Sequence, residues 1–394
     1  MKASIYNLTL TSEGRFIVMN GLSGVAAALD LPTVSRLRRD PPGPMEPALN
    51  TVLAEAGILV AADRDESAAL KAAARRRQAA ERHADLSLLL DSPLTDPKPD
   101  HPAIEPALRA AAKFAADPRV EQIKFRLITG PEWSIAERAR LIRYLRRRLA
   151  GMGASDPRLL ATAQLAESPA LANLEADAFM LHWDLHRAPA PTTEQLAALN
   201  KLAGTSAVAV TLTCLEPADL ARNRSALAHA ATYPRLASGA VAWGLEGEEI
   251  GTSPWYLPTV CRGNGNDPAL HAMRETIPLP IRPVFAPVAL HPGCPLRGRW
   301  SGFFCGEQVL SCLLSPSARD GELKPLQPSR LAPDLFPLSE HALAHPCAPF
   351  YATECPRRAI PENECAIRCE ALSLELHRLL RQGQLPLISP GRSG

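Results

Sequence analysis

Apolar and polar residues alternate over 4–10 (SIYNLTL) and run apolar over 15–19 (RFIVM). Thr11-Ser12-Glu13-Gly14 between them has turn chemistry, so the chain is predicted to open with a β-hairpin. Two helical patterns follow, Ser23 to Leu29 and Pro47 to Glu55. The second stops at Gly57, ahead of the strand-like Ile58-Leu59-Val60. Together these predict a winged-helix-like unit over residues 1–64. Residues 65–84 place acidic side chains before Lys71 and Arg75-Arg76-Arg77, the order a helix dipole favours, and are expected to form a solvated linker helix.

Over residues 85–290 the pattern changes to short apolar runs alternating with helical periodicity. Strands are expected at 86–90, 121–128, 158–163, 178–183, 206–213, 238–243 and 283–289, and helices at 102–116, 134–150, 192–203 and 216–232. That alternation predicts an α/β fold with a parallel sheet, a partial (β/α) TIM-like barrel, whose strand ends share one rim for chemistry. Past His291 both periodicities fade, and seven of the nine cysteines fall between Cys294 and Cys369. Residues 291–384 are therefore expected to be a separate cysteine-rich module held by something other than an apolar core. A last helix is expected over 370–382 and a disordered Pro/Gly/Ser-rich tail over 385–394.

The 394 residues suffice for two or three domains that each bury a core. With 43 basic and 41 acidic residues the net charge is only +2, so no global field grips a phosphate backbone and nucleic acid is not an expected partner. The most apolar stretch, Leu196 to Leu215, is broken by Asn200, Lys201, Gly204, Thr205 and Ser206, so no membrane insertion is expected. The first residues lack an apolar signal core, which points to the cytoplasm, where cysteines stay reduced and bind metal or pack rather than pair.

SIYNLTL, Asn20-Gly21-Leu22-Ser23-Gly24 and the run from Leu53 to Val60, with the order of the three regions, resemble the radical SAM/SPASM maturases of ribosomally made peptides. The resemblance implies a leader-peptide recognition unit, a partial barrel and a SPASM-like extension. After the first barrel strand that family carries CxxxCxxC, whose thiolates hold the cluster that binds S-adenosylmethionine. Here the loop reads Asp91-Ser92-Pro93-Leu94-Thr95-Asp96-Pro97-Lys98-Pro99-Asp100, and no cysteine precedes Cys214. Its donors are hard oxygens, poor ligands for an iron–sulfur cluster, so radical initiation and S-adenosylmethionine binding are not expected. The family's GGEP-like turn corresponds to Thr129-Gly130-Pro131-Glu132, which makes Gly130 and Glu132 a vestigial cofactor turn; Gly-Pro is also what an ordinary strand-to-helix turn uses. In the extension the resemblance implies Cys294, Cys312, Cys347, Cys355, Cys365 and Cys369 as ligands of one or two auxiliary 4Fe–4S clusters, with zinc as the alternative. Only the spacing Cys365-x3-Cys369 agrees with the family's core.

A rival site lies in His182-Trp183-Asp184-Leu185-His186. Strand alternation would put His182, Asp184 and His186 on one face as a divalent-metal triad, and the chain would then be a metalloenzyme. No nucleophile elbow, phosphate loop or dinucleotide fingerprint is present. The reading that joins most of these features is a non-catalytic partner or scaffold in peptide maturation. It would bind a leader or precursor peptide and pair with an active radical SAM maturase or other modifying enzyme. A metal-free peptide-binding assembly module is the third reading.

Overall fold

The computed structural model describes residues 1–246, 276–281, 301–310, 343–351, 364–381, 383 and 387–388, apart from short breaks within the first and third of these stretches. The chain opens with β1 (Lys2–Ala3) and the expected hairpin, β2 (Asn7–Ser12) and β3 (Arg15–Asn20), paired antiparallel around Gly14 at φ 73°. Next comes β4 (Ala26–Leu29), antiparallel to β3, where a helix was expected over Ser23 to Leu29. Ala-Ala-Ala-Leu has high helix propensity, but tertiary burial overrides it. Ala26 enters one core while Ala27 and Leu29 enter another on the opposite face of the sheet, an alternation only a strand supplies. The helix begins after it, as α1 (Leu31–Leu37), capped by Asp30, whose carboxylate accepts from the Thr33 amide at 2.8 Å.

The second helix, α2 (Pro47–Glu55), ends as expected before Gly57 at φ 74°, and β5 (Leu59–Val60) returns to pair with β1. Asn20 is the polar node of this unit. It is buried, its amide donates to Ser4 Oγ (2.9 Å) and Asn7 Oδ1 (3.0 Å), and its own Oδ1 accepts from the Leu22 and Ser23 amides. Ser23 Oγ in turn donates to the Ala56 carbonyl at 2.6 Å, which ties the hairpin to the end of α2. The Asn20-Gly21-Leu22-Ser23-Gly24 run thus has a structural reason to read as it does.

The helix expected to be a solvated linker, α3 (Glu66–Ala79), is instead anchored. Leu70 is fully buried, and the buried Glu66 carboxylate accepts from Ser4 Oγ and from the Ile5 amide.

The large sheet follows, built from β6 (His83–Leu90), β7 (Gln122–Thr129), β8 (Pro157–Gln164), β9 (Ala178–Asp184), β10 (Ala207–Thr213) and β11 (Val241–Glu246). Between them run α4 (Glu105–Ala115), α5 (Ile135–Ala150), α6 (Ser168–Leu171), α7 (Thr193–Leu202), α8 (Pro217–Ala231) and α9 (Pro234–Ala237). These six strands are neighbours in sequence order and all parallel. A seventh parallel strand, β12 (Ser301–Cys305), pairs with β6 on its other side, followed by antiparallel β13 (Gln308–Leu310). Strand periodicity therefore continues past His291, contrary to expectation. The strand expected at 283–289 lies outside the described residues; just before it, Ile281 forms a parallel bridge to Trp243.

One row of strand residues forms the helix-covered core: Leu86, Leu88, Phe125, Leu127, Leu181, Val210 and Trp243 are all buried in it. Their alternating neighbours face the other way and are markedly polar: Asp85, Ser87, Lys124, Arg126, Thr162, His182, Asp184 and Thr213.

Where it is described, the C-terminal region is not a module apart. Its described pieces, α10 (Ala348–Tyr351) and α11 (Glu364–Arg381), pack Leu343, Cys347, Phe350, Leu372, Leu376 and Leu379 into one core with Tyr6, Leu10, Ile17, Met19 and Leu70. Tyr6 Oη donates to the Leu343 carbonyl at 2.8 Å, and burial raises the Tyr6 pKa above its ordinary value. The last helix begins at Glu364 rather than at 370. Within the tail expected to be disordered, β14 (Leu387–Ile388) adds to β4 as a parallel strand.

Candidate functional site

Four places carry the candidate chemistry. The first is the loop after β6, where a radical initiator would hold its cluster. Residues 91–92 and 95–100 lie outside the described set, and Leu94 packs against the main core. The neighbouring turn is structural in its bonding. The Gly130 amide donates to the Leu90 carbonyl at 3.0 Å, and Trp133 Nε1 donates to the same carbonyl at 3.1 Å, which ties the ends of β6 and β7 together. Glu132 is exposed.

The second place is the rim where β9 and β10 end. His182 is buried, with Nε2 at 2.6 Å from Thr213 Oγ1. Asp184 ends β9, and its Oδ1 accepts from the His186 and Arg187 amides at 2.9 and 3.0 Å, closing a turn. That turn carries His186 off the strand toward α8, where its Nδ1 lies 2.9 Å from Oδ1 of the fully buried Asp219. Arg222 Nη1 stands 3.3 Å from the same oxygen, and Asn223 holds the turn through the Leu185 carbonyl at 2.8 Å. The expected metal triad is thus dispersed: strand alternation stops at Asp184, so His186 does not share the face of His182. What remains is a His186–Asp219 pair with the imidazole 36 % exposed. With Nδ1 fixed on a carboxylate, proton exchange with a ligand would run through Nε2.

The third place is formed by His345, Cys347 and Cys369, whose ligand atoms all lie within 4.8 Å of one another. Among the described residues this is the one such group of three. Cys347, buried just before α10, and Cys369 on α11 are joined as a disulfide, with Cα atoms 6.1 Å apart; His345 Nδ1 lies 3.4 Å from Cys369 Sγ. The expectation that the cysteines stay unpaired is overturned for this pair, because the packing of α10 on α11 brings the two backbones within disulfide reach. In reduced form the same atoms are two thiolates and an imidazole, a soft donor set that fits zinc with a fourth ligand supplied from elsewhere. A 4Fe–4S cluster needs further thiolates. Of the other expected ligands, Cys294, Cys312 and Cys355 lie outside the described residues, and Cys365 is placed only as a backbone position on α11, one turn before Cys369. His345 escaped the sequence reading because its partners are two and 24 residues away; the short His-Pro-Cys run was its only local signal.

The fourth place is in the N-terminal unit. A groove of about 380 Å³ lies over β2 and β3 beside α1, with Val18, Val34 and Leu37 as apolar floor and Lys2, Arg38 and Arg39 among its lining residues. The sheet beneath it runs in the order β14, β4, β3, β2, so it offers two edges.

Among the described residues no helix is long and apolar enough to cross a membrane. Compared with models of known protein families and with curated protein sequences, the chain matches none.

Proposed function

We propose that the chain is a cytoplasmic, peptide-binding partner protein in the maturation of a ribosomally made peptide, built on a degenerate radical SAM-like partial barrel without radical initiation of its own. The observation that carries this reading is the N-terminal sheet, which already accepts a short added strand through backbone pairing at β4, the mode by which an extended leader peptide is held. Two features support it. The sequential parallel order from β6 to β11 is what a partial barrel requires, and the loop after β6 contains no thiol for an initiating cluster. The reduced His345, Cys347 and Cys369 group would bind zinc or contribute to an auxiliary cluster, and its role would be to brace the shared core on which the hairpin rests.

The test is anaerobic purification under reducing conditions, followed by metal analysis and incubation with S-adenosylmethionine. The expected outcome is about one zinc, or about four irons, per chain, lost on Cys369→Ser, with no 5′-deoxyadenosine formed. Precursor peptides encoded beside the gene should bind the intact chain. Cleavage of S-adenosylmethionine by the protein alone would overturn the reading.

A further inference from the structure

The two edges of the N-terminal sheet differ. The β4 edge is covered by β14, a two-residue strand from the far end of the chain, with Leu387 opposite Ala26 and Ile388 opposite Ala27. This strand is weakly held. It pairs with two of the four residues of β4, and it pairs in parallel, the less stable ladder per residue. Leu387 and Ile388 stay 42 % and 36 % exposed, so burial of their side chains contributes little to holding them. The template, in contrast, is rigid. Ala26 is fixed in the core shared with α11, and Ala27 and Leu29 in the core shared with α1 and α2. Its small side chains, Ala26, Ala27 and Ala28, leave the backbone open to close approach.

We propose that Leu387–Ile388 is a built-in competitor strand that occupies the β4 edge where an extended segment of a partner polypeptide adds, so that the C-terminal tail gates peptide binding. The proposal rests on the reading that the N-terminal unit binds peptide. The favoured occupant is an extended aliphatic segment of a partner polypeptide, able to pair along all of Ala26–Leu29 and so to displace a strand that reaches only half of it. Between α11 and Leu387 the chain spans five residues, a short tether that keeps the tail at high effective concentration beside the edge. A tail that holds the edge about nine-tenths of the time weakens an incoming peptide about tenfold.

The experiment uses the full chain and its double variant Leu387→Pro with Ile388→Pro, in which the strand loses its amide donors. The probe is a fluorescent synthetic peptide of residues 383–394, followed by anisotropy. The double variant is expected to bind it at least about tenfold more tightly than the intact chain. The same peptide carrying both prolines should bind neither. Hydrogen exchange at Ala26–Ala28 should quicken in the double variant and slow again when the unmodified peptide is added. Equal binding to both chains, or a folded double variant that ignores the peptide, would overturn the gate. The tail-peptide titration contains no precursor peptide, and a second titration with precursor peptides on both chains lets the two readings fail separately. If precursor peptides bind intact and double-variant chains equally, the gate falls and peptide binding stands. If the tail peptide behaves as expected but no precursor binds, the maturation reading falls.

Discussion

Gly21 lies in the turn between β3 and β4, and the structure states what an added methyl would meet there. A Cβ would sit 2.6 Å from Phe350 Cε2 and 3.1 Å from Pro349 Cβ and Cγ, with no positive φ to complicate the comparison. Gly21→Ala must therefore push the α10 segment off the hairpin, an overpacking that costs about 1–3 kcal/mol. Phe350 is buried in the core shared by the hairpin and α11, so Phe350→Leu alone costs about 1–2 kcal/mol by loss of contacts. Together the two should be less harmful than their sum, because the shorter side chain makes room for the methyl. The coupling is expected to be at least about 1 kcal/mol in favour of the double variant. Native-state hydrogen exchange read on peptides covering residues 4–20 reports the opening free energy of the hairpin itself, which a global melting curve of a chain with several cores does not. Additivity within about 0.5 kcal/mol, or a neutral Gly21→Ala, would show that the C-terminal segment does not pack on the N-terminal turn.

Two further outcomes follow from single side chains. Hydrogen bonds from Thr33, the side chain first and then the backbone, lower the Asp30 pKa, so the cap's contribution is present above the ordinary carboxylate range and fades as pH falls through the folded-state value. Asp30→Ala should thus cost about 1 kcal/mol at neutral pH and progressively less below about pH 4, and a penalty that grows on acidification would refute the capping role. On α11, Arg378 and Glu375 form a buried pair, at 2.8 and 3.1 Å, with Arg378 also donating to the Ile281 carbonyl at 2.8 Å. Arg378→Ala leaves a carboxylate with its main partner gone and should cost about 3–5 kcal/mol by urea unfolding, whereas the apolar pair Glu375→Leu with Arg378→Met should cost far less; equal losses would contradict this.

Where local pattern and tertiary burial agreed, the fold was legible from residues alone. The six strands from β6 to β11 and the four longer helices between them lie within a few residues of expectation, because each strand has a fully buried row and each of those helices has an apolar stripe, whereas the short α6 and α9 carry too few residues to show one. The α5 start carries its own sequence signature, a capping box between Ser134 and Glu137, as does that of α7 between Thr192 and Gln195. The misreadings share a cause. Ala26–Leu29 has the local propensity of a helix, while its side chains are divided between a core built from α1, α2 and the hairpin and a second core whose other half lies more than three hundred positions away. The linker helix read as solvated for the same reason: Leu70 is one apolar residue among charges, and nothing near it announces α11.

The candidate sites show why residue type is easier to read than residue company. Alternation correctly puts His182 and Asp184 on one face of β9, but it carries no information about where the strand stops. Two residues past its end, Asp219 of α8 takes His186 for itself. The cysteines make the converse point. Spacing points to a set of four within one short stretch; among the described residues the geometry brings together the two at its ends and adds a histidine outside it. A pair held by the packing of α10 on α11 shares its support with Tyr6, Met19 and Phe350, so the redox or metal state of Cys347 and Cys369 bears directly on the hairpin. A cysteine site that served only its own loop would leave the hairpin's exchange rates untouched by reduction. Here, reduction in the absence of zinc should loosen the hairpin, and zinc should restore its protection.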